Sequence, residues 1–386
     1  MGDKKKIAVI FGGQSSEHEV SRVSAQSVLN NIDRDKYDIE MIGITRDGRW
    51  LSYDGPVNLL GTGEWQAQAE ESLERRRTAL LGAGASAEPE NGSPAPADSS
   101  ARGILQAAGA EKGENKIDVV FPVLHGCNGE DGTIQGLLEL AGIPYVGCGV
   151  LGSALGMDKA YAKVIFEKEG IPQGKYLVCS RKQIKNETER IINQAEELLT
   201  YPCFVKPSNA GSSVGVSKAH DRTELIEALH FAARYDRRVL VEEFIDGKEA
   251  ECAVLGNDEP VASTVGEVIP CNEFYDYEAK YQSGDESEVI IPARLPEPVI
   301  RKIREYAVKA FRALDLSGLA RVDFFVRKDN GEVCINEVNT LPGFTKISMY
   351  PKLWEASGLP YEKLIEKLID LAVERFEDNQ REIDGV

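Results

Sequence analysis

Two apolar, β-branched segments, LARVDFFV at 319–326 and EVCINEV at 332–338, flank the turn residues RKDNG, and this hairpin constrains the fold more tightly than any other part of the chain. Side chains alternate between the faces of a strand, so register decides which polar groups meet. A three-residue loop of Asp329, Asn330 and Gly331, with the glycine left-handed, puts Asp323 opposite Glu337 and Arg321 opposite Asn339. A two-residue Asn-Gly turn would instead set Asp323 against Val338 and scatter the polar residues over both faces. The first register is favoured. Two acids and an amide on one face, beside an arginine, suit hard divalent cations that take oxygen ligands and bridge phosphates. A solvated sheet face with cross-strand ion pairs would use the same residues.

At 386 residues the chain is long enough for two or three domains with their own cores. Its 63 acidic and 45 basic residues leave a formal charge of −18, which repels phosphate backbones and anionic membranes, so neither is an expected partner. The seven cysteines are scattered and form no C-x-x-C pair, which points to reduced, mostly buried thiols rather than a disulfide framework or zinc site. After the basic MGDKKK, the apolar run IAVIF stops at Gly12-Gly13, too short for a signal-peptide core, and no other stretch could span a bilayer. A cytoplasmic location is expected.

Ile7 to Phe11 reads as a parallel strand buried on both faces. A Gly-Gly turn and the start of a helix follow, with Ser16 and Glu19 at capping-box spacing. A second apolar strand, Ile117 to Leu124, ends at His125-Gly126, and the loop CNGEDG leads into a helix from Thr133 to Ala141. This grammar predicts a small doubly wound α/β domain whose ligand site lies at the carboxyl ends of its strands. Residues 62–115 run to Ala, Gly, Glu, Ser and Pro and are expected to form a flexible surface insertion. Composition changes again near Gly147. A helix from about Asp158 to Glu169 stops at Gly170, a strand from Tyr201 to Lys206 feeds the loop PSNAGSSVG, and a helix from Arg222 to Tyr235 precedes the strand Val239 to Glu243. His18, His220 and His230 read as surface residues.

The loop from Asn209 to Gly215 supplies backbone N–H groups, the hydroxyls of Ser212 and Ser213, and permissive glycines, the parts of a phosphate-cradling flap or of a plain glycine-rich hairpin. No G-x-x-x-x-G-K-[ST] sequence occurs, so the chain is no P-loop enzyme. Lys159 opens a helix and Lys206 ends a strand before the flap, placed to neutralise nucleotide phosphates or simply solvated. The strand edge VLVEEF, with Glu249 beyond it, could hydrogen-bond an adenine and take ribose hydroxyls.

In this order, FGGQSSEHEVS at 11–21, LHGCNGEDGTIQG at 124–136, MDK at 157–159, VKPSNAGSSVG at 205–215, FYDYEAKY at 274–281, GLARVDFF at 318–325 and NEVNTLPGFT at 336–345 make the chain resemble the ATP-grasp superfamily. Within it, the resemblance is to the D-alanine–D-alanine ligases and covers nearly the whole length. It implies an N-terminal Rossmann-like domain over 1–147, then a two-lobed, α+β ATP-grasp fold over 148–242 and 243–386. It further implies two Mg²⁺ ions, with Mn²⁺ a usable substitute, a homodimer, and a role in making peptidoglycan precursors.

By the same resemblance Glu17 would hold the ammonium of the first D-alanine, with His125 near its carboxylate. Lys159, Lys206 and the flap serine Ser213 would contact ATP phosphates, Glu242 would sit at the adenine hinge, and Glu249 would bind ribose. Asp323, Glu337 and Asn339 would hold the metals, Glu337 bridging them. Ser212 and Tyr281 would link to Glu17, Lys280 would reach the γ-phosphate, Arg321 and the Gly343 N–H would form an oxyanion site, and Ser348 would receive the second substrate's carboxylate.

The implied chemistry is phosphorylation of a carboxylate, then attack of an amine on the acyl phosphate, whose oxyanion needs fixed donors and whose lifetime needs water excluded. Cys127-Asn128 and Thr345-Lys346-Ile347-Ser348 depart from the usual pattern of relatives and put the acceptor pocket in question. D-alanine–D-serine ligation is therefore the nearest alternative, and D-lactate is disfavoured by Tyr281. A biotin-dependent carboxylase is disfavoured by the lack of a Met-Lys-Met segment, and a non-catalytic nucleotide-binding regulator is the alternative of another class.

Overall fold

The computed structural model describes residues 4–82, 116–269, 288–345 and 347–380. Among these residues the chain forms a mixed α/β structure with three sheets. The first contains β1 (Lys5–Gly12), β2 (Tyr37–Ile44), β3 (Trp50–Tyr53) and β4 (Val119–Val123) in the order β3-β2-β1-β4. β1 runs parallel to both β2 and β4, and β3 adds an antiparallel edge. Ile7 to Phe11 are fully buried, as a strand covered on both faces requires.

Two further sheets are wholly antiparallel. One is β5 (Tyr176–Ser180), β6 (Cys203–Pro207), β7 (Ser217–Ala219) and β8 (Arg238–Glu243), in the order β5-β8-β6-β7. The other holds β9 (Gly247–Gly256), β10 (Val261–Ile269), β11 (Glu288–Ile290), β12 (Gly318–Arg327) and β13 (Val333–Asn339), in the order β11-β10-β9-β12-β13. The helix Glu297–Ala313 buries Ile303, Ala307, Ala310 and Phe311 against β9 and β10. The C-terminal helix Tyr361–Asp378 touches both β4 and β12, joining the first and third sheets. There Arg375 lies over the Tyr145 ring and donates to the carbonyls of Gly147 and Tyr145, at 2.6 and 3.1 Å.

The β12–β13 hairpin pairs Asp323 with Glu337 and Arg321 with Asn339, the expected partners, but by a different route. Arg327 N donates to Glu332 O, so the turn holds four residues, Lys328 to Gly331, with Gly331 left-handed at φ +72°. The register near the turn is thus one residue off the expected one, and a bulge at Asn336 restores it before Glu337. The bulge leaves Asn336 and Glu337, consecutive residues, both half-buried instead of on opposite faces.

Three other expectations are corrected. Residues 65–82, placed in the flexible insertion, form a helix, Trp65–Gly82, anchored by a fully buried Trp65 against Phe11 at 4.9 Å and Tyr53 at 6.2 Å. A single aromatic anchor outweighs a polar composition there. Residues 83–115 of that segment lie outside the described residues. The capping box at Ser16 and Glu19 does not form: the helix His18–Asn31 has Glu17 at its N-cap with no side-chain cap bond, and Glu19 pairs with Arg46. His18 is buried, its Nδ1 2.8 Å from Gly13 O, because the Gly12-Gly13 turn folds back over it.

Candidate active site

The loops after β1 and β4 deliver Glu17 and His125 to the same edge of the first sheet, where parallel strands end. Ser15 ties the two loops, accepting from Glu17 N at 3.2 Å and donating to His125 O at 2.6 Å. Glu17 is buried, and the Ser212 hydroxyl donates to its Oε1. Glycines crowd the other oxygen: a Cβ at Gly126 or Gly211 would lie 2.6 or 2.7 Å from Glu17 Oε2. Ser212 and Ser213 hold left-handed backbones, at φ +48° and +58°, a conformation that non-glycine residues adopt at a cost.

His125 is buried, with Nδ1 3.1 Å from Leu341 O and 3.4 Å from Glu130 Oε1, and Nε2 3.0 Å from Ser24 Oγ. Burial opposes the imidazolium charge, but the Glu130 carboxylate beside it, together with Glu17 and the Leu341 carbonyl, outweighs burial and raises its pKa above 6.5. Glu130 is itself raised, by burial first and by Glu17.

Across the cleft, Lys159 donates to Ala210 O at 2.8 Å and lies 3.4 Å from Glu337 Oε2. Asp158 N-caps that helix and also accepts from the Ser208 hydroxyl and from Arg238, so the helix start is bound to the second sheet. Lys206 lies 2.7 Å from Glu242 Oε2 and donates to Asn336 Oδ1 at 3.2 Å. Lys163 grips the other oxygen of Glu242 at 3.1 Å. Although burial works against it, this pair of ammonium groups holds the Glu242 carboxyl down at about 2.

Arg321 Nε and Nη2 donate to both Asp323 oxygens at 2.7 Å, and Glu251 lies 2.9 Å from Nε. The Coulomb field of Asp323 and Glu251 exceeds the burial penalty and raises the guanidinium pKa well above its usual value. Asn339 Nδ2 donates to Asp323 Oδ2 at 3.0 Å, which leaves its Oδ1 as an acceptor. Among the described residues no three Asp, Glu, His or Cys side chains cluster as a metal cage. Two carboxylates and an amide do fit Mg²⁺, which commonly takes one or two carboxylates and completes its shell with substrate phosphates and water.

One cavity of about 550 Å³ is lined by every expected site residue that is described, from Glu17 and His125 through the flap, Lys159, Lys206, Glu242 and Glu249 to Arg321, Asp323, Glu337, Asn339, Gly343 and Ser348. Ser348 Oγ is engaged locally, 3.0 Å from Thr345 N and 2.8 Å from Thr345 Oγ1, and a Cβ at Gly343 would lie 2.8 Å from it. Lys280, Tyr281 and Lys346 lie outside the described residues. Sequence reasoning passed over Lys163, Glu130 and Glu251, which line the same cavity. Helical i,i+4 spacing from Lys159 and strand alternation from Glu249 were available signals for Lys163 and Glu251; the partner of Glu130 was not visible locally.

Family profiles described as "D-ala D-ala ligase N-terminus" and "D-ala D-ala ligase C-terminus" match residues 6–148 and 165–370. Proteins named D-alanine–D-alanine ligase from Ruminiclostridium cellulolyticum and Acetivibrio thermocellus are 66% and 64% identical, over 98% of this chain and of the first and 100% of this chain and of the second. Among solved structures, the VanG D-Ala:D-Ser ligase from Enterococcus faecalis is 40% identical with a TM-score of 0.79, covering 96% of this chain and 100% of that one. The D-alanine–D-alanine ligase of Coxiella burnetii is 36% identical with a TM-score of 0.75, covering 98% of this chain and 97% of that one. With both family profiles and full-length relatives in agreement, the chain belongs to the D-alanine–D-alanine ligase family.

Proposed function

We propose that the cleft joins two D-alanines into D-alanyl-D-alanine with ATP, through a D-alanyl phosphate. The observation that supports this most is the single cavity shared by Glu17, which follows β1, and by Asp323, Glu337 and Asn339 of the β12–β13 hairpin. An amino-acid ammonium and a nucleotide phosphate can thereby be held side by side. On this reading the first sheet is the Rossmann-like substrate domain (1–147), and the other two are the lobes of an ATP-grasp fold (148–242 and 243–386).

The carboxylate of the first D-alanine attacks the γ-phosphorus, and ADP leaves. The neutral amine of the second then attacks the acyl carbon, phosphate leaves with the bonding pair, and the proton released from the amine passes to the departing phosphate. Glu17 binds the first ammonium, and His125, whose pKa is raised with the help of Glu130, faces the carboxylate. Lys159, Lys206 and Ser213 oppose the phosphate charge, Glu242 and Glu249 take adenine and ribose, and Ser348 takes the acceptor's carboxylate. Arg321 spends Nε and Nη2 on carboxylates, while Nη1 bonds no described side chain, which suits an oxyanion donor worth about 3 to 4 kcal/mol. Two Mg²⁺ ions, or Mn²⁺, would be held by Asp323, Glu337 and Asn339; when bound they supply charge neutralisation of the phosphates. Lys280 and Tyr281 complete the proposed set, and Ser212 relays to Glu17. On this reading the chain works in the cytoplasm, as a homodimer that supplies peptidoglycan precursors. Among the described residues no helix is long and apolar enough to cross a membrane.

The test is phosphate release from Mg-ATP with D-alanine, L-alanine, or D-alanine mixed with D-serine or D-lactate, the products identified by mass. D-alanyl-D-alanine from D-alanine alone is the expected result. A product only from the D-serine mixture would favour the acceptor named for the Enterococcus structure, and silence throughout would favour a nucleotide-binding regulator.

A further inference from the structure

On the first sheet, a recess of about 470 Å³ that shares no lining residue with the cleft lies between the helix His18–Asn31, the turn joining β2 to β3, and the start of the helix Trp65–Gly82. Three guanidinium groups, of Arg22, Arg46 and Arg49, line it against two carboxylates, of Glu19 and Asp47. The carboxylates are already taken. Arg46 Nη2 donates to both oxygens of Glu19, and Arg49 donates to Asp47 at 2.8 Å and to Glu70 at 2.7 Å.

Arg22 is left over. Only 11% of its side chain is exposed, its nearest carboxylate oxygen, Glu19 Oε1, is 3.8 Å away, and its Nε is buried without a hydrogen-bond partner among the described residues. Gly63 makes this placement possible, because a Cβ there would lie 2.2 Å from Arg22 Nη1. Burial accordingly lowers the Arg22 pKa; the Glu19 carboxylate opposes this only in part, and the neighbouring Arg46 adds to the effect. A largely buried guanidinium whose Nε lacks an acceptor is costly, and an anion with several oxygens is the ligand that removes the cost. A planar carboxylate would satisfy one edge of Arg22, whereas a tetrahedral oxyanion can also meet the two rim arginines from other directions.

We propose that this recess is a binding site for a phosphate group, free or carried on a small monoester, anchored by Arg22 with Arg46 and Arg49 at its rim. The site is separate from the cleft and holds whatever reaction the cleft performs.

The experiment titrates inorganic phosphate, and in a second arm glycerol 1-phosphate, into the full chain by calorimetry with the cleft saturated by Mg²⁺ and a non-hydrolysable ATP analogue. A binding step that survives the nucleotide and weakens by about tenfold or more in Arg22→Met is expected. Arg46→Met should weaken it as well, because Glu19, released from Arg46, can then pair with Arg22. If only the monoester binds, the recess reads the organic portion too and the site stands. If neither probe binds with the cleft filled, or if both variants bind as the unaltered chain does, the proposal is overturned. Arg22→Met keeps the apolar stem and removes an unsatisfied donor, so its melting temperature serves as the folding control; Arg46→Met, at an exposed position, decides the matter if Arg22→Met does not fold.

Discussion

Lys163 and Lys206 grip opposite oxygens of the buried Glu242, at 3.1 and 2.7 Å. One carboxylate thus bridges two ammonium groups at the seam between the second sheet and the helix Lys159–Lys168. Glu242 titrates near 2, below its ordinary 4.5, so its stabilisation is fully present above 4.5 and is lost as pH falls through about 2. The shift corresponds to roughly 3 kcal/mol. Lys163→Met should raise the Glu242 pKa, begin acid unfolding at a higher pH, and cost about 3 kcal/mol near neutrality. Urea titrations between pH 2 and 7 check this; an unaltered acid limb would show that Lys206 alone holds the carboxylate.

Glu130 should govern the charge on His125. His125 is raised because Glu130, with Glu17 and the Leu341 carbonyl, outweighs burial, so its stabilising charge is present below 6.5 and is lost as pH rises through the folded value. In Glu130→Gln the burial effect should dominate and bring the His125 pKa down toward or below 6.5, visible as a shifted imidazole titration by NMR. An unmoved titration would assign the shift to Glu17 instead.

Gly211 leaves room for Glu17. A methyl group there would sit 2.7 Å from Glu17 Oε2, so Gly211→Ala should displace the carboxylate and raise the KM for the first amino acid by about tenfold, with little change in melting temperature. Unchanged kinetics would remove Glu17 from substrate binding.

Glu337→Gln should abolish metal-dependent turnover, since the proposed metal set contains only two carboxylates. Activity assays over a range of Mg²⁺ and Mn²⁺ concentrations, with Mn²⁺ binding followed by electron paramagnetic resonance, separate lost metal from lost chemistry. Normal turnover with normal Mn²⁺ binding would exclude Glu337 as a ligand.

Trp65→Ala should cost about 3 to 5 kcal/mol, as expected for a fully buried aromatic packed on Phe11 and Tyr53. Denaturant unfolding measures it. A loss under about 1 kcal/mol would mean that the helix Trp65–Gly82 contributes little to the core packed on the first sheet.

Short-range patterns account for what the sequence by itself determined: the buried strand Ile7–Phe11, the helix Thr133–Ala141, and the two strands of the β12–β13 hairpin. Strand alternation, turn chemistry and helix stops act over a few neighbouring residues, so they can be read in order along the chain. The tertiary structure alone decided the bulge at Asn336, the burial of His18, and the helix at 65–82 that a polar composition had hidden behind one tryptophan. It also decided which charges share a partner: Lys163 with Glu242, His125 with Glu130, and Arg22 with no hydrogen-bond acceptor among the described residues. Such pairings arise when separate elements pack and water is excluded, so the energy that selects them depends on distance and burial in three dimensions and leaves no period in the sequence.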